Sequence, residues 1–310
     1  MLGRVVAAAI QLEAFWATSE DDFRLHLTGL LEDARREGAE LVALPQHLGM
    51  SLLGMLGPAT PDVGWFDIIQ AAGYESLMEC YQAEGAALVG VYEQIGSELA
   101  REFQLYLVFG SMLMTDQDGH LFDVAYLFAP DGKLVGKQQR THLSSVEDGR
   151  EWCGGDVLSV FDTPVGRIGL VIGADVYYPE VSRILCLQGA NVLIHLHRSV
   201  RHSQADWMRR LWREVQANQV YGIESCLVGR GDQGRATIHA PLGITLSGDG
   251  VLACATSTMR SEVVVAELDY LRLQQVVDDY RIYSVLNYEM YRKWLPLLYE
   301  SDGAVATGLS

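Results

Sequence analysis

Apolar positions along the chain alternate between two periods. Arg4–Gln11 is a dense run of Val, Ala and Ile that suits a buried strand. After Ser19 the period lengthens. Phe23, Leu27, Leu30, Leu31 and Ala34 recur at helical spacing, behind an N-cap serine and a first turn of Glu20, Asp21 and Asp22 that stabilises the positive end of the helix dipole. Gly38 closes that helix, and Glu40–Leu44 is the next strand, ended by Pro45. The stretch Met50–Gly90 is a loop punctuated by Gly54, Gly57, Pro58 and Pro61, with a helix near Glu75–Glu84. A separate helix is expected over Val91–Glu102, then a strand over Leu105–Gly110.

Hairpins follow. Met112–Met114 and Asp123–Ala129 alternate around a turn at Asp116–Gly119, and Pro130–Gly132 turns into the strand Leu134–Gln138. Val157–Asp162 and Arg167–Ile172 flank Pro164–Gly166 as another hairpin. Pro179 opens a helix that Gly189 stops, and Asn191–His197 is a buried strand. A long helix is expected over Gln204–Tyr221. Ser225–Gly229, Ala236–Ala240, Gly250–Ala255 and Glu262–Leu268 are strand-like, and Tyr270–Glu300 reads as helical and aromatic. Early strand–helix alternation with late hairpins predicts mixed sheets, packed face to face with helices outside.

Composition narrows the function classes. The chain has 310 residues, 49% of them hydrophobic and 20% charged, an ordinary globular balance with enough apolar surface for a large core. A formal net charge of −17 repels phosphate backbones and anionic lipid, so neither nucleic acid nor membrane is expected as a partner. The cysteines Cys80, Cys153, Cys186, Cys226 and Cys254 are odd in number and form no CxxC pair, which points to reduced thiols in a cytoplasmic protein. Arg4 before Val5–Ile10 is a faint signal-peptide pattern, but Gln11 and Glu13 interrupt the run, so it is read as a strand. No apolar stretch reaches membrane-spanning length.

Seven short segments, in order, resemble the nitrilase (carbon–nitrogen hydrolase) superfamily: the strand ending in Gln11; Gly38–Pro45; Gly132–Leu143; Phe161–Gly169; Asp175 with Pro179 and Glu180; Gly189–Ile194; and Ala240–Gly243. The resemblance implies an α/β fold, a four-layer αββα sandwich with two mixed sheets. It spans one domain over residues 1–275, followed by a C-terminal helical tail over 276–310. It also implies hydrolysis of C–N bonds by a Glu base, a Lys that stabilises the tetrahedral intermediate and a Cys nucleophile. Gln46, Arg140 and Gly173 stand at those three positions. An amide cannot accept the nucleophile's proton, Arg aims its planar fork differently from Lys, and Gly has no side chain. The expected protein is therefore a catalytically silent homologue that binds a small anionic or amide-bearing metabolite. The other reading is a hydrolase acting on C–N bonds through displaced residues, such as Glu147 or Cys226.

Further residues bear on the site. Glu147 matches an acid that many family members place beside the triad; it pairs with Arg140 in the pocket or is an exposed loop acid, and both readings stand. Lys137 is three residues from Arg140 and faces the opposite side of an extended strand. Gly173 and Ala174 imply an enlarged pocket floor, and Arg140 there favours an anion. Tyr177 and Tyr178 follow the nucleophile position, and one of them is expected to line the pocket. His195 and His197 share a strand face and, with Arg198, are expected to bind ligand. A metal site built from them with His47 and Asp175 is conceivable. Hydrogen-bonded strand-end histidines are the plainer reading, so neither metal nor cofactor is expected. Trp207 and Trp212 on the long helix divide between core and partner. The run from Tyr280 to Tyr299 is too apolar for a solvated helix and points to a homodimer or higher homo-oligomer.

Overall fold

The computed structural model describes residues 2–58, 60, 63–143, 152–198 and 203–299. In chain order its elements are β1 (Arg4–Glu13), α1 (Glu20–Arg36), β2 (Leu41–Ala43), α2 (Trp65–Ala71), α3 (Leu77–Phe103), β3 (Tyr106–Thr115), β4 (Leu121–Phe128), β5 (Leu134–Gln139), β6 (Val160–Thr163), β7 (Gly166–Ile172), α4 (Pro179–Leu187), β8 (Val192–Arg198), α5 (Gln204–Trp207), α6 (Arg213–Asn218), β9 (Tyr221–Val228), β10 (Thr237–His239), β11 (Val251–Cys254), β12 (Glu262–Asp269), α7 (Tyr270–Tyr280) and α8 (Tyr288–Tyr299). Short 3-10 helices cover Leu48–Met55 and Gly173–Tyr177, and a π turn at Met208–Trp212 links α5 to α6.

Side-chain alternation sorts these elements into layers. Along β1, Ala8, Ile10 and Leu12 pack with α1 and α3, while Val5, Ala7 and Ala9 pack with the second half of the chain. In β7 and β8, Ile168, Leu170, Ile172, Val192, Ile194 and Leu196 face that same central core, while Val171 and Leu193 face α4 and α6. Three separate apolar clusters result: helix on sheet, sheet on sheet, and sheet on helix. They are the three interfaces of a four-layer αββα sandwich, as the sequence pattern implied.

The two sheets are not independent. Strands run β5-β4-β3-β2-β1-β9-β8-β7-β6 as one hydrogen-bonded path. The join lies at the end of β1. Ala7–Ala9 pair with β2, but Gln11–Glu13 run past it and pair with Cys226–Val228 of β9. Strands β3, β2, β1, β9, β8 and β7 are mutually parallel along this path, and β12 returns antiparallel along β1.

Some elements differ from expectation, each for a local reason. The two helices expected between Glu75 and Glu102 are one, α3, because Leu77, Cys80, Tyr81, Leu88, Tyr92, Ile95 and Leu99 form one buried stripe that outweighs the cost of the intervening glycines. The long helix expected to Tyr221 is broken by the π turn and ends at Gln219 in the left-handed region, leaving Tyr221 and Ile223 to start β9. The C-terminal helix is two, because Arg281 adopts a left-handed conformation (φ 51°). No helix among the described residues is long and apolar enough to cross a membrane.

Two glycines of α3 test this packing. Gly90 is exposed, and a Cβ added there would meet nothing within 4 Å, whereas a Cβ on Gly96 would come within 2.7 Å of the Phe109 and Phe128 rings. Gly90→Ala is expected to stabilise the protein by about 0.5–1 kcal/mol through helix propensity. Gly96→Ala is expected to destabilise it by about 1–3 kcal/mol through overpacking. Chemical denaturation of both variants reads the opposite signs.

Candidate functional site

Parallel strands gather their carboxyl ends on one side of the sandwich, and the segments leaving those ends form the site. Gln46 and His47 leave β2, Ala14–Trp16 leave β1, Gly173 leaves β7, Arg198 ends β8, and Arg230 and Asp232 follow β9. A kink in β3 makes room for the β2 exit. Gly110 sits at φ 63°, where a Cβ would stand 2.3 Å from the Pro45 carbonyl oxygen, and the strand register shifts there. The shift brings the Ser111 hydroxyl to the His47 backbone N–H, which donates to it at 2.8 Å. His47 itself lies at φ 61°, a rare conformation for a residue with a side chain.

The three family positions converge. Gly173 adopts φ 53°, and a Cβ built on it would lie 2.6 Å from Gln46 Nε2 and 2.8 Å from Gln46 Oε1. The amide therefore fills the space that a larger residue at 173 would need. The enlarged floor expected at Gly173 and Ala174 is absent for that reason. Gln46 Nε2 donates to Asp123 Oδ2 at 2.7 Å, and Arg140 Nη1 approaches the same oxygen at 4.0 Å. Gln46 and Arg140 are both buried. Arg140 is also fixed through its backbone, whose N–H donates to the Asp123 carbonyl and whose carbonyl accepts from Gly155 N–H. Its guanidinium lies 5.4 Å from the Trp152 ring.

Asp123, on β4, was not singled out from the sequence, yet it is the centre of this cluster. His47 Nε2 is 3.2 Å from the oxygen that also receives Gln46. Burial works against a charged carboxyl, but His47 and Arg140 outweigh it and hold the Asp123 pKa down to about 2. The Arg140 charge thus faces a buried carboxylate. A lone acid within the apolar run Leu121–Phe128 was the signal available for Asp123.

The other expected residues scatter. Arg198 lines a cleft of about 360 Å³ together with His47, Trp16, Trp65, Arg230 and Asp232. Its Nε is 2.7 Å from Asp232 Oδ2, and Arg230 lies 4.7 Å over the Trp16 ring. His47 is the wall shared by this cleft and the buried cluster. Tyr177 is half-exposed on the turn after Gly173, and Tyr178 stacks on His142 at 3.7 Å; neither lines this cleft. Asp175 is buried, accepts from the N–H groups of Thr141 and His142, and ties the segment after Arg140 to the turn after Gly173. His195 and His197 are buried behind the cleft, with His195 Nε2 3.1 Å from the Gly173 carbonyl oxygen. Lys137 pairs with Glu93, away from Arg140. Glu147 lies outside the described residues.

The buried cysteines Cys80, Cys186 and Cys226 offer no replacement nucleophile, because burial raises the pKa of each. All five are free thiols. Cys226 is buried, its Sγ–H points to Gln11 Oε1 at 3.5 Å, and burial with the nearby Glu224 charge pushes its pKa well above the ordinary thiol value. Such a thiol stays protonated and unreactive.

A family model described as carbon–nitrogen hydrolase matches residues 6–277. The omega-amidase NIT2 of Bos taurus is 24% identical over 299 residues, covering 92% of this chain and 95% of that protein. Among solved structures, a carbon–nitrogen hydrolase from Helicobacter pylori G27 superposes with a TM-score of 0.69 at 22% identity, covering 94% of this chain and 97% of that one. A double mutant of the amidase from Nesterenkonia sp. AN1, in complex with acrylamide, gives a TM-score of 0.69 at 16% identity, with 94% and 97% covered.

The buried carboxylate sets a pH dependence. A carboxyl held near 2 when folded, against an ordinary 3.8, contributes stability that is fully present above about pH 4 and is lost as pH falls toward 2. The contribution is roughly 2 kcal/mol. Asp123→Asn is expected to flatten that acid limb and, by removing the carboxylate that Gln46 and His47 contact, to cost about 3 kcal/mol at neutral pH. Denaturant unfolding of both proteins between pH 2 and pH 7 measures each effect.

Proposed function

This chain belongs to the carbon–nitrogen hydrolase family, and we propose that it is a member without the family's covalent chemistry, using its cleft to bind a small anionic or amide-bearing metabolite. One observation carries the reading: at the position where the resemblance places the nucleophile stands Gly173, and the Gln46 amide occupies the space beside it. No acyl intermediate can form on a residue without a side chain. The base position fares no better, because the Gln46 amide donates its hydrogen to Asp123 and has no proton-accepting role at neutral pH. Asp123 is a carboxylate in the right neighbourhood, but a pKa near 2 makes it a weak base.

The cleft supports binding of a small ligand. Arg198 and Arg230 bring guanidinium donors to it, with the Arg198 charge shared with Asp232, and Trp16 and Trp65 supply flat apolar walls. In this reading the domain spans residues 1–275, and the tail from 276 onward serves a second copy of the chain. Tyr288, Met290, Tyr291, Trp294 and Leu295 are exposed on α8, a large apolar face that a homodimer contact would cover. The free thiols fit a reducing cytoplasm.

The purified protein is expected to release no ammonia above the buffer blank from a panel of ω-amides, primary amides, nitriles and carbamoyl compounds. Gly173→Cys alone is expected to stay silent, because the Gln46 amide cannot take the thiol's proton; the combined Gln46→Glu, Arg140→Lys and Gly173→Cys variant is the one with a route to activity. Enzyme-like turnover by the natural protein would overturn the proposal. In parallel, a small carboxylate that stabilises the wild type in a thermal-shift screen should bind Arg198→Ala roughly tenfold more weakly, the loss of one charge-assisted hydrogen bond.

A further inference from the structure

Behind the cleft, on the face of β8 and β9 that turns toward the outer helices, imidazoles and a carboxylate meet. His195 and Glu224 are direct register partners on neighbouring parallel strands, and His197 follows two residues along the same face. His239 joins from β10, which pairs with β9. All four side chains are buried. None of them lines the cleft, so this site stands independently of the function proposed above.

Their atoms are arranged for a missing partner. The Gly173 carbonyl can only accept, so the His195 ring proton sits on Nε2 and its Nδ1 presents a lone pair. That Nδ1 is 3.9 Å from Glu224 Oε2, and His239 Nε2 is 3.7 Å from the same oxygen. Both separations are too long for hydrogen bonds. Among the described residues, His195 Nδ1, Glu224 Oε2 and both ring nitrogens of His239 have no hydrogen-bond partner, although they are buried. One ligand atom each from His195, His197 and Glu224 fall within 4.8 Å of one another. Two ligands on one tetrahedral zinc stand roughly 3.4 Å apart at normal bond lengths, so small side-chain shifts close the gap.

The surroundings hold the donors in place. Arg210 Nε donates to Glu224 Oε1 at 2.8 Å, which satisfies one carboxylate oxygen and leaves the other aimed at the imidazoles. Arg210 reaches this point because the chain leaves helical geometry there, at φ −93° and ψ −138° within the π turn, a feature found often at functional sites. Arg198, the cation next to His197 in sequence, lines the cleft and pairs there with Asp232. The His195 Nε2–H bond to the Gly173 carbonyl is the outer-shell contact that orients a metal-binding imidazole.

We propose that His195 Nδ1, Glu224 Oε2 and an imidazole nitrogen of His197, with His239 Nε2 as a fourth donor, bind one divalent transition ion of the zinc class. Imidazole-rich donors with a single carboxylate select such ions over calcium or magnesium, which prefer all-oxygen ligands. The ion ties β8, β9 and β10 together and, through His195, fixes the Gly173 carbonyl.

The test is metal analysis of the full chain. The protein is stripped with a chelator, then titrated with Zn²⁺ against a colorimetric competitor, and separately loaded with Co²⁺ to record its visible ligand-field absorption. Expected are one ion per chain and a chelator-reversible rise in Tm. Affinity should fall at least roughly tenfold in His195→Gln and in Glu224→Gln, by analogy with lost metal contacts. The control is His120→Asn, which alters the exposed Asp116, Asp118 and His120 group and should change nothing. Should both buried variants fail to fold, the wild type still decides: a Co²⁺ spectrum with nitrogen ligands supports the site, and no spectrum overturns it. Absence of stoichiometric binding, or binding abolished by His120→Asn and kept by Glu224→Gln, also overturns the proposal.

Discussion

The contact on which this site turns is steric. The Gln46 amide lies within 3 Å of where a Cβ on residue 173 would stand, and residue 173 is a glycine at positive φ. Each residue accommodates the other. A side chain at 173 would have to displace the amide, and the amide is in turn held by the buried Asp123 carboxylate. The glycine and the amide beside it are one arrangement, set within a scaffold that keeps its four layers.

Asp123 extends that arrangement into electrostatics. A carboxylate with no exposure keeps its charge only where opposite charge and donors surround it, and His47, Gln46 and Arg140 do so. The cluster draws together β2, β4 and the end of β5. Asp175 repeats the device one layer over, joining the segment after β5 to the turn after β7 through backbone N–H groups. Two buried acids therefore position the three family positions, while the cleft lies to one side, behind His47. Gln46 and Arg140 are buried in this cluster, and Arg198, Arg230, Trp16 and Trp65 line the cleft beside it.

Much of this was legible in the chain. The apolar runs of β1 and β8 marked buried strands, and the family resemblance carried the layer structure, which places their alternate residues in two cores. The local motifs located Gln46, Arg140 and Gly173, and those positions do meet. What escaped was long-range pairing. The passage of β1 from β2 to β9 depends on a three-residue overhang that no local pattern marks. Asp123, Glu224 and Arg210 escaped because a charged residue in an apolar run signals burial without naming its partner, and each partner lies on another strand or helix. The continuous α3 escaped because glycine propensity argued for a break that tertiary packing overrides.

The most direct measurement of the central claim is the intact mass of the protein after incubation with fluoroacetamide, a reagent whose acetamide moiety adds covalently at the active-site cysteine in a mutant of the structurally similar amidase from Nesterenkonia sp. AN1. A chain with glycine at position 173 and its buried thiols protonated is expected to keep its mass unchanged over the time in which that amidase mutant takes up the acetamide group. A stoichiometric acetamide adduct that maps to a residue beside the cleft would contradict the account.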